Sequence, residues 1–183
     1  MLGVVFLLIA LYIFAQIGGV FGNSGYRGKA RMQLAEAKIL VALLAKVAKS
    51  DGHVSESEAA MISEILDDLV RQMGAGERER EALKLVYKLE KESLANVREL
   101  AEKYNQTYRP SPSRKTGLIY FFLNLAYVDR GFSAAERRTI SQICDGLGLP
   151  EHIQSQMFAT FERSFYGTYY ENGGAQSDSA YDE

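Results

Sequence analysis

Two stretches of the chain align on one another without a gap. Val47-Ala48-Lys49-Ser50-Asp51-Gly52-His53-Val54-Ser55-Glu56-Ser57-Glu58 lies on Leu125-Ala126-Tyr127-Val128-Asp129-Arg130-Gly131-Phe132-Ser133-Ala134-Ala135-Glu136, with an alanine, an aspartate, a serine and a glutamate shared. Downstream, Ile62 and Ile65 fall on Ile140 and Ile143. Each copy reads as a helix, a short acidic turn and a second amphipathic helix. Two such hairpins bury their apolar faces by packing together, which points to an all-α bundle with a shared core.

The apolar spacing elsewhere agrees with this. Leu34, Ala37, Leu40, Val41, Leu44 and Val47 form one stripe at three- and four-residue intervals, and Met61, Ile62, Ile65, Leu66 and Leu69 form another. The first helix is expected over about 30–50, stopped by Gly52, and the second over 56–73, stopped by Gly74 and Gly76. A highly charged third helix covers about 77–92, with Leu83, Val86, Tyr87 and Leu89 on its inner side. A fourth follows Ser93 as N-cap and ends near Tyr108, because Arg109-Pro110-Ser111-Pro112 cannot continue it. Leu118 to Val128, the most apolar of the later segments, is expected to be the central buried helix. A sixth helix spans about 134–147 and closes at Gly148, and a seventh starts at Pro150. No stretch alternates as a strand would. Phe158, Phe161 and Phe165 read as core, while the tyrosines after them are not assigned by spacing. Residues 167–183, rich in Tyr, Gly, Ser and acid, read as a disordered tail.

Residues 2–22 carry no charge, and Gln16 is their one strongly polar side chain. As a helix they extend roughly 30 Å, the thickness of a bilayer's hydrocarbon core. A cleaved signal peptide is the rival reading, yet no Lys or Arg precedes the run and no Ala-x-Ala-like site closes it. The expectation is an anchor over 1–25, a helical domain over 26–166 and the tail thereafter. Arg27, Lys29 and Arg31 follow the run, and the positive-inside rule then keeps the helical domain in the cytosol, at the inner face of the cytoplasmic membrane. Gly18 and Gly22 form a GxxxG pair that lets two helices approach closely, a route to a homodimer through the span; the alternative is glycine that merely tolerates a helix end.

The acidic turns carry the candidate chemistry. Ser55-x-x-Glu58 and Ser133-x-x-Glu136 are both capping boxes, in which the serine oxygen accepts the third amide and the glutamate reaches back to the serine amide. Asp51 and Asp129 stand at the exit of the preceding helix, where a carboxylate opposes the helix dipole and needs a compensating partner. That partner is a turn amide, or a divalent cation gathered by Asp51, Glu58, Asp129 and Glu136. The spacing is shorter than that of an EF-hand loop, and the alternating Asp/Asn ligands are missing.

Composition narrows the function further. Twenty-one Lys and Arg against 23 Asp and Glu give a formal net charge of -2, no field that gathers nucleic acid. One cysteine allows no internal disulfide, and Cys144, among Ile140, Ile143 and Leu147, reads as a small core hydrophobe. His53 and His152 read as surface histidines without neighbours that would orient a general base. With no phosphate loop, nucleophile elbow or Cys/His cluster, an enzyme is not expected and no cofactor is implied beyond the candidate cation.

The paired phrases Ala-Lys-Ser-Asp-Gly-His-Val-Ser-Glu-Ser-Glu and Ala-Tyr-Val-Asp-Arg-Gly-Phe-Ser-Ala-Ala-Glu resemble the two acidic motifs of the TerB-like domain. That family includes tellurite-resistance proteins and the N-terminal region of membrane-anchored DnaJ-like co-chaperones of the DjlA type. The resemblance covers roughly residues 1–165 and is greater to the DjlA type, which also begins with a short Gly-containing transmembrane helix. It implies a TerB-like bundle of about seven helices, a membrane-anchored module that meets protein partners related to chaperones, or else a cation-binding stress-response module. The second motif departs from the usual Asp-Gly by reading Asp129-Arg130-Gly131, so that Arg130 can itself neutralise Asp129. The His-Pro-Asp turn of a J domain does not occur in the sequence, so these residues alone are not expected to activate Hsp70. The likeness leaves open the anchored part of a longer protein or a stand-alone membrane protein.

Overall fold

A computed structural model of the chain describes residues 33–93, 95–127 and 132–173. Seven α-helices and no strand occur among the described residues: α1 (Leu34–Ala48), α2 (Glu56–Met73), α3 (Glu77–Glu90), α4 (Val97–Tyr108), α5 (Pro112–Ala126), α6 (Ala134–Gly146) and α7 (Glu151–Gly173). None of these helices is long and apolar enough to cross a membrane. The uncharged run 2–22, with Gly18 and Gly22, lies outside the described residues, as does the end of the expected tail, 174–183.

Helices α1 to α6 belong to one compact unit. Its centre is α1 and not, as the sequence suggested, the apolar segment 118–128. Every residue from Leu40 to Ala48 is buried, and α1 touches each of α2, α3, α4, α5 and α6. A helix that is apolar on one side only can face one neighbour; Ala42, Leu43, Ala45 and Ala48 extend the stripe of α1 around the whole cylinder. Against it lie Ile62, Ile65, Leu66, Leu69 and Met73 of α2 and Leu118, Ile119, Phe122 and Leu123 of α5, all buried.

Two helix starts differ from expectation. Helix α4 begins at Val97 behind Asn96 in a left-handed conformation (φ 63°), while the Ser93 hydroxyl accepts the Ala95 amide in the turn before it. Helix α5 begins at Pro112, six residues before the apolar segment. Ser111 Oγ accepts the Arg114 amide at 3.3 Å, and Pro112 takes the first helical position, where its missing N–H costs nothing. Leu89, expected inside, is 64% exposed. On α3 only Leu83 is fully buried.

Helix α4 passes directly over α6. A Cβ on Gly146 would stand 2.5 Å from the Arg98 carbonyl oxygen and 2.6 Å from the Ala101 Cβ, so the two backbones meet at a spacing that only glycine allows. Cys144, on the same helix, is completely buried, and burial followed by the charge of Asp145 pushes its thiol up to about 12. In the folded protein at neutral pH Cys144 is therefore inert to a disulfide reagent such as DTNB and reacts fully once denaturant opens the core. Stoichiometric reaction in the native state would show that this core is not closed.

The chain from Pro150 onward forms a second unit. It is the helix α7, in which the Ile153 and Gln154 amides both bond the Pro150 carbonyl and in which Met157, Phe158 and Phe161 are buried. Residues 167–173, expected in the tail, continue this helix.

Candidate functional site

The acidic turn between α1 and α2 is held by backbone chemistry. Helix α1 ends at Ala48, and Gly52, at φ 90°, supplies the reversal. Asp51 Oδ1 accepts the His53 amide at 2.9 Å, closing an Asx turn, and Lys49 Nζ donates to the Gly52 carbonyl at 2.5 Å. Ser55 then caps α2: its Oγ accepts the Glu58 amide at 3.1 Å, and Glu58 Oε2 accepts the Ser55 amide at 2.9 Å. The Asp51 carboxylate thus has the turn-amide partner that its place at a helix exit calls for, and it stays exposed with His53 beside it. Glu58 is buried, although charged, because its charge sits on the amide-rich end of its own helix.

The second copy repeats the cap. Ser133 Oγ accepts the Glu136 amide at 3.1 Å, Glu136 Oε2 accepts the Ser133 amide at 2.7 Å, and Glu136 is 6% exposed against 7% for Glu58. Asp129, with Val128, Arg130 and Gly131, lies outside the described residues. On either side of it the Tyr127 and Phe132 rings stack at 5.5 Å, and the Arg137 guanidinium stands 5.4 Å from the Phe132 centroid. These three positions correspond to Lys49, Val54 and Ala59 of the first copy, so the stack belongs to the second turn alone.

Of the four carboxylates singled out in the sequence, Glu58 and Glu136 each serve the first turn of their own helix, and Asp51 serves its own loop. Among the described residues no three His, Cys, Asp or Glu side chains come together in a group that could hold a metal ion. The first turn does border two buried hydroxyls, Ser50 and Tyr87, which have no hydrogen-bond partner among the described residues. Tyr87 comes from α3; burial, and then the nearby Glu58 charge, push its hydroxyl up to about 12. His152 is exposed at the start of α7.

The polar groups that spacing did not reveal tie separate helices together. Buried Glu36, in the first turn of α1, pairs with Arg114 of α5 and accepts the Tyr104 hydroxyl of α4 at 3.3 Å. Lys46, 2% exposed, crosses to the end of α3, where it meets the Ser93 carbonyl at 2.5 Å and the Glu90 carboxylate at 2.8 Å. A cation there satisfies the negative end of the α3 dipole. Lys115 does the same for α6 by donating to the Leu147 carbonyl at 2.6 Å. A lysine within an apolar helix is the signal that could have marked Lys46; nothing in local spacing marks the meeting of Glu36 with Arg114.

A family model described as tellurite resistance protein TerB matches residues 37–157, from the first turn of α1 into α7. Neither curated proteins nor solved structures give a match.

Proposed function

The chain belongs to the TerB family, and from that premise we propose that it works without enzymatic chemistry, as a membrane-tethered module that meets other proteins at the cytosolic face of the cytoplasmic membrane. The observation that carries this reading is how the acidic motifs are used. Asp51, Glu58 and Glu136 accept amides of their own turns, which commits these carboxylates to shaping helix starts and a loop and leaves the helix surfaces as what the domain presents. The tether rests on the uncharged run 2–22 and the basic residues after it. A tether followed by a TerB domain would resemble the anchored part of a DjlA-type co-chaperone, and from that resemblance chaperones or their clients are the partners we suggest.

A second reading draws on Ser50 and Tyr87. Two buried hydroxyls beside Asp51 and Glu58 offer oxygen ligands, and a divalent cation that also took Asp129 and Glu136 would make the domain a cation-responsive stress module. The capped glutamates favour the first reading, since a cation would have to compete with the helix ends for them.

Fractionation tests the tether. The full chain should sediment with membranes in carbonate and come into solution with detergent, and deletion of residues 2–22 should release a folded protein to the soluble fraction. A full-length chain found in the soluble fraction would contradict the proposal.

A further inference from the structure

Among the described residues, Leu85 and Leu89 are the exposed large hydrophobics, at 56% and 64% exposure, and both belong to α3. With 100° between successive residues, Arg78, Glu81, Leu85, Lys88, Leu89 and Glu92 fall within about 60° of the direction of Leu85. All six are exposed. Lys91, just past the helix, keeps right-handed torsions (φ -68°, ψ -15°), so Glu92 continues the same stripe.

The charges on this stripe change sign about Leu85. Arg78 lies as far before it as Glu92 lies after it, and Glu81 before it is balanced by Lys88 after it. A parallel partner helix would set arginine on arginine and lysine on lysine. An antiparallel copy, related by a two-fold axis at Leu85, instead sets Arg78 on the partner's Glu92, Glu81 near the partner's Lys88 and Leu85 on the partner's Leu85. A closed two-fold interface requires this self-complementarity. We propose that the exposed face of α3 is a homodimer surface, with two α3 helices antiparallel about Leu85. This contact is separate from the GxxxG pair and does not depend on the membrane tether.

The test uses the full chain in detergent with Leu85→Cys, oxidised by copper phenanthroline; the native Cys144 is buried and takes no part. A two-fold axis at this position places the two introduced thiols together, so a disulfide-linked dimer should form far more readily than from Ser63→Cys, an exposed site on α2. Glu81 is already held by Lys84 at 2.7 Å, so the charge test falls on the outer pair. Arg78→Glu turns two attractions into two repulsions and should cut the cross-linked fraction roughly tenfold, and adding Glu92→Arg should restore it. Cross-linking no better than at Ser63→Cys, or unaffected by the charge exchange, overturns the proposal. So does a Leu85→Cys thiol that is shielded from maleimide yet remains monomeric, which would show lipid or another segment on this face.

Discussion

Arg114→Ala should lower the stability of the helical domain by about 3 kcal/mol, read as a fall in the urea or thermal midpoint. The Glu36 side chain is 8% exposed, and its carboxylate is met by the Arg114 guanidinium and the Tyr104 hydroxyl. Removing the arginine leaves a charge in the core with one neutral donor, and breaking one side of a buried pair typically costs about 3–5 kcal/mol. The lower end applies because Arg114 is 22% exposed and water can reach the site. The cost arises from the stranded carboxylate more than from the lost attraction, so Glu36→Met combined with Arg114→Met should recover most of it. A double variant as unstable as Arg114→Ala would show that the pair itself supplies the stability. A loss below about 1 kcal/mol in the single variant would place it with ordinary surface pairs.

Gly146→Ala should destabilise by about 2 kcal/mol although it exchanges glycine for the best helix former. In an open helix the change gains roughly 1 kcal/mol. At this position the new methyl meets the Arg98 carbonyl oxygen at 2.5 Å and the Glu102 amide nitrogen at 2.9 Å, both backbone atoms that no rotamer change moves aside. Overpacking of this kind costs about 1–3 kcal/mol, with the upper end expected where backbone must shift. The displaced surface is the α4–α6 contact, so amides of α4 should lose hydrogen-exchange protection ahead of those of α2. A variant as stable as the parent would mean that α4 does not lie against Gly146.

How far the fold could be read from the sequence depended on whether the decisive contacts are local. The Ser-x-x-Glu spacing places donor and acceptor in one helical turn, and both capping boxes formed at Ser55 and Ser133. Gly74 (φ 57°) and Gly148 (φ 68°) stand in the left-handed conformation that ends a helix, as glycine after an apolar stripe suggests. The identity of the central helix was misjudged because hydrophobic density favours 118–128, whereas burial depends on how many neighbours a helix meets. Two of the three charged residues of helix α1, Glu36 and Lys46, look solvent-facing in the sequence and are satisfied by α4 and α5 and by the end of α3 with the turn after it. Leu89 shows the converse: it lies on the same face as Leu85 at helical spacing, and that face is left exposed among the described residues. Of the candidate site, the caps were legible and the Asx turn at Asp51 was one of two open readings. The Tyr127–Phe132–Arg137 stack was not legible, since it joins residues from both sides of a turn.

On the proposed reading, Asp51, Glu58 and Glu136 shape helix ends in an interaction module and gather no cation. The most direct measurement is the thermal midpoint of the full chain in detergent with and without millimolar Ca²⁺, Mg²⁺, Mn²⁺ or Zn²⁺. A cation at about 100 times its dissociation constant adds roughly 2.7 kcal/mol, enough to raise the midpoint by several degrees. The same midpoint is expected with each ion. A rise with one ion that disappears in Asp51→Asn or Asp129→Asn would contradict it and make those carboxylates the site of a cation-responsive domain.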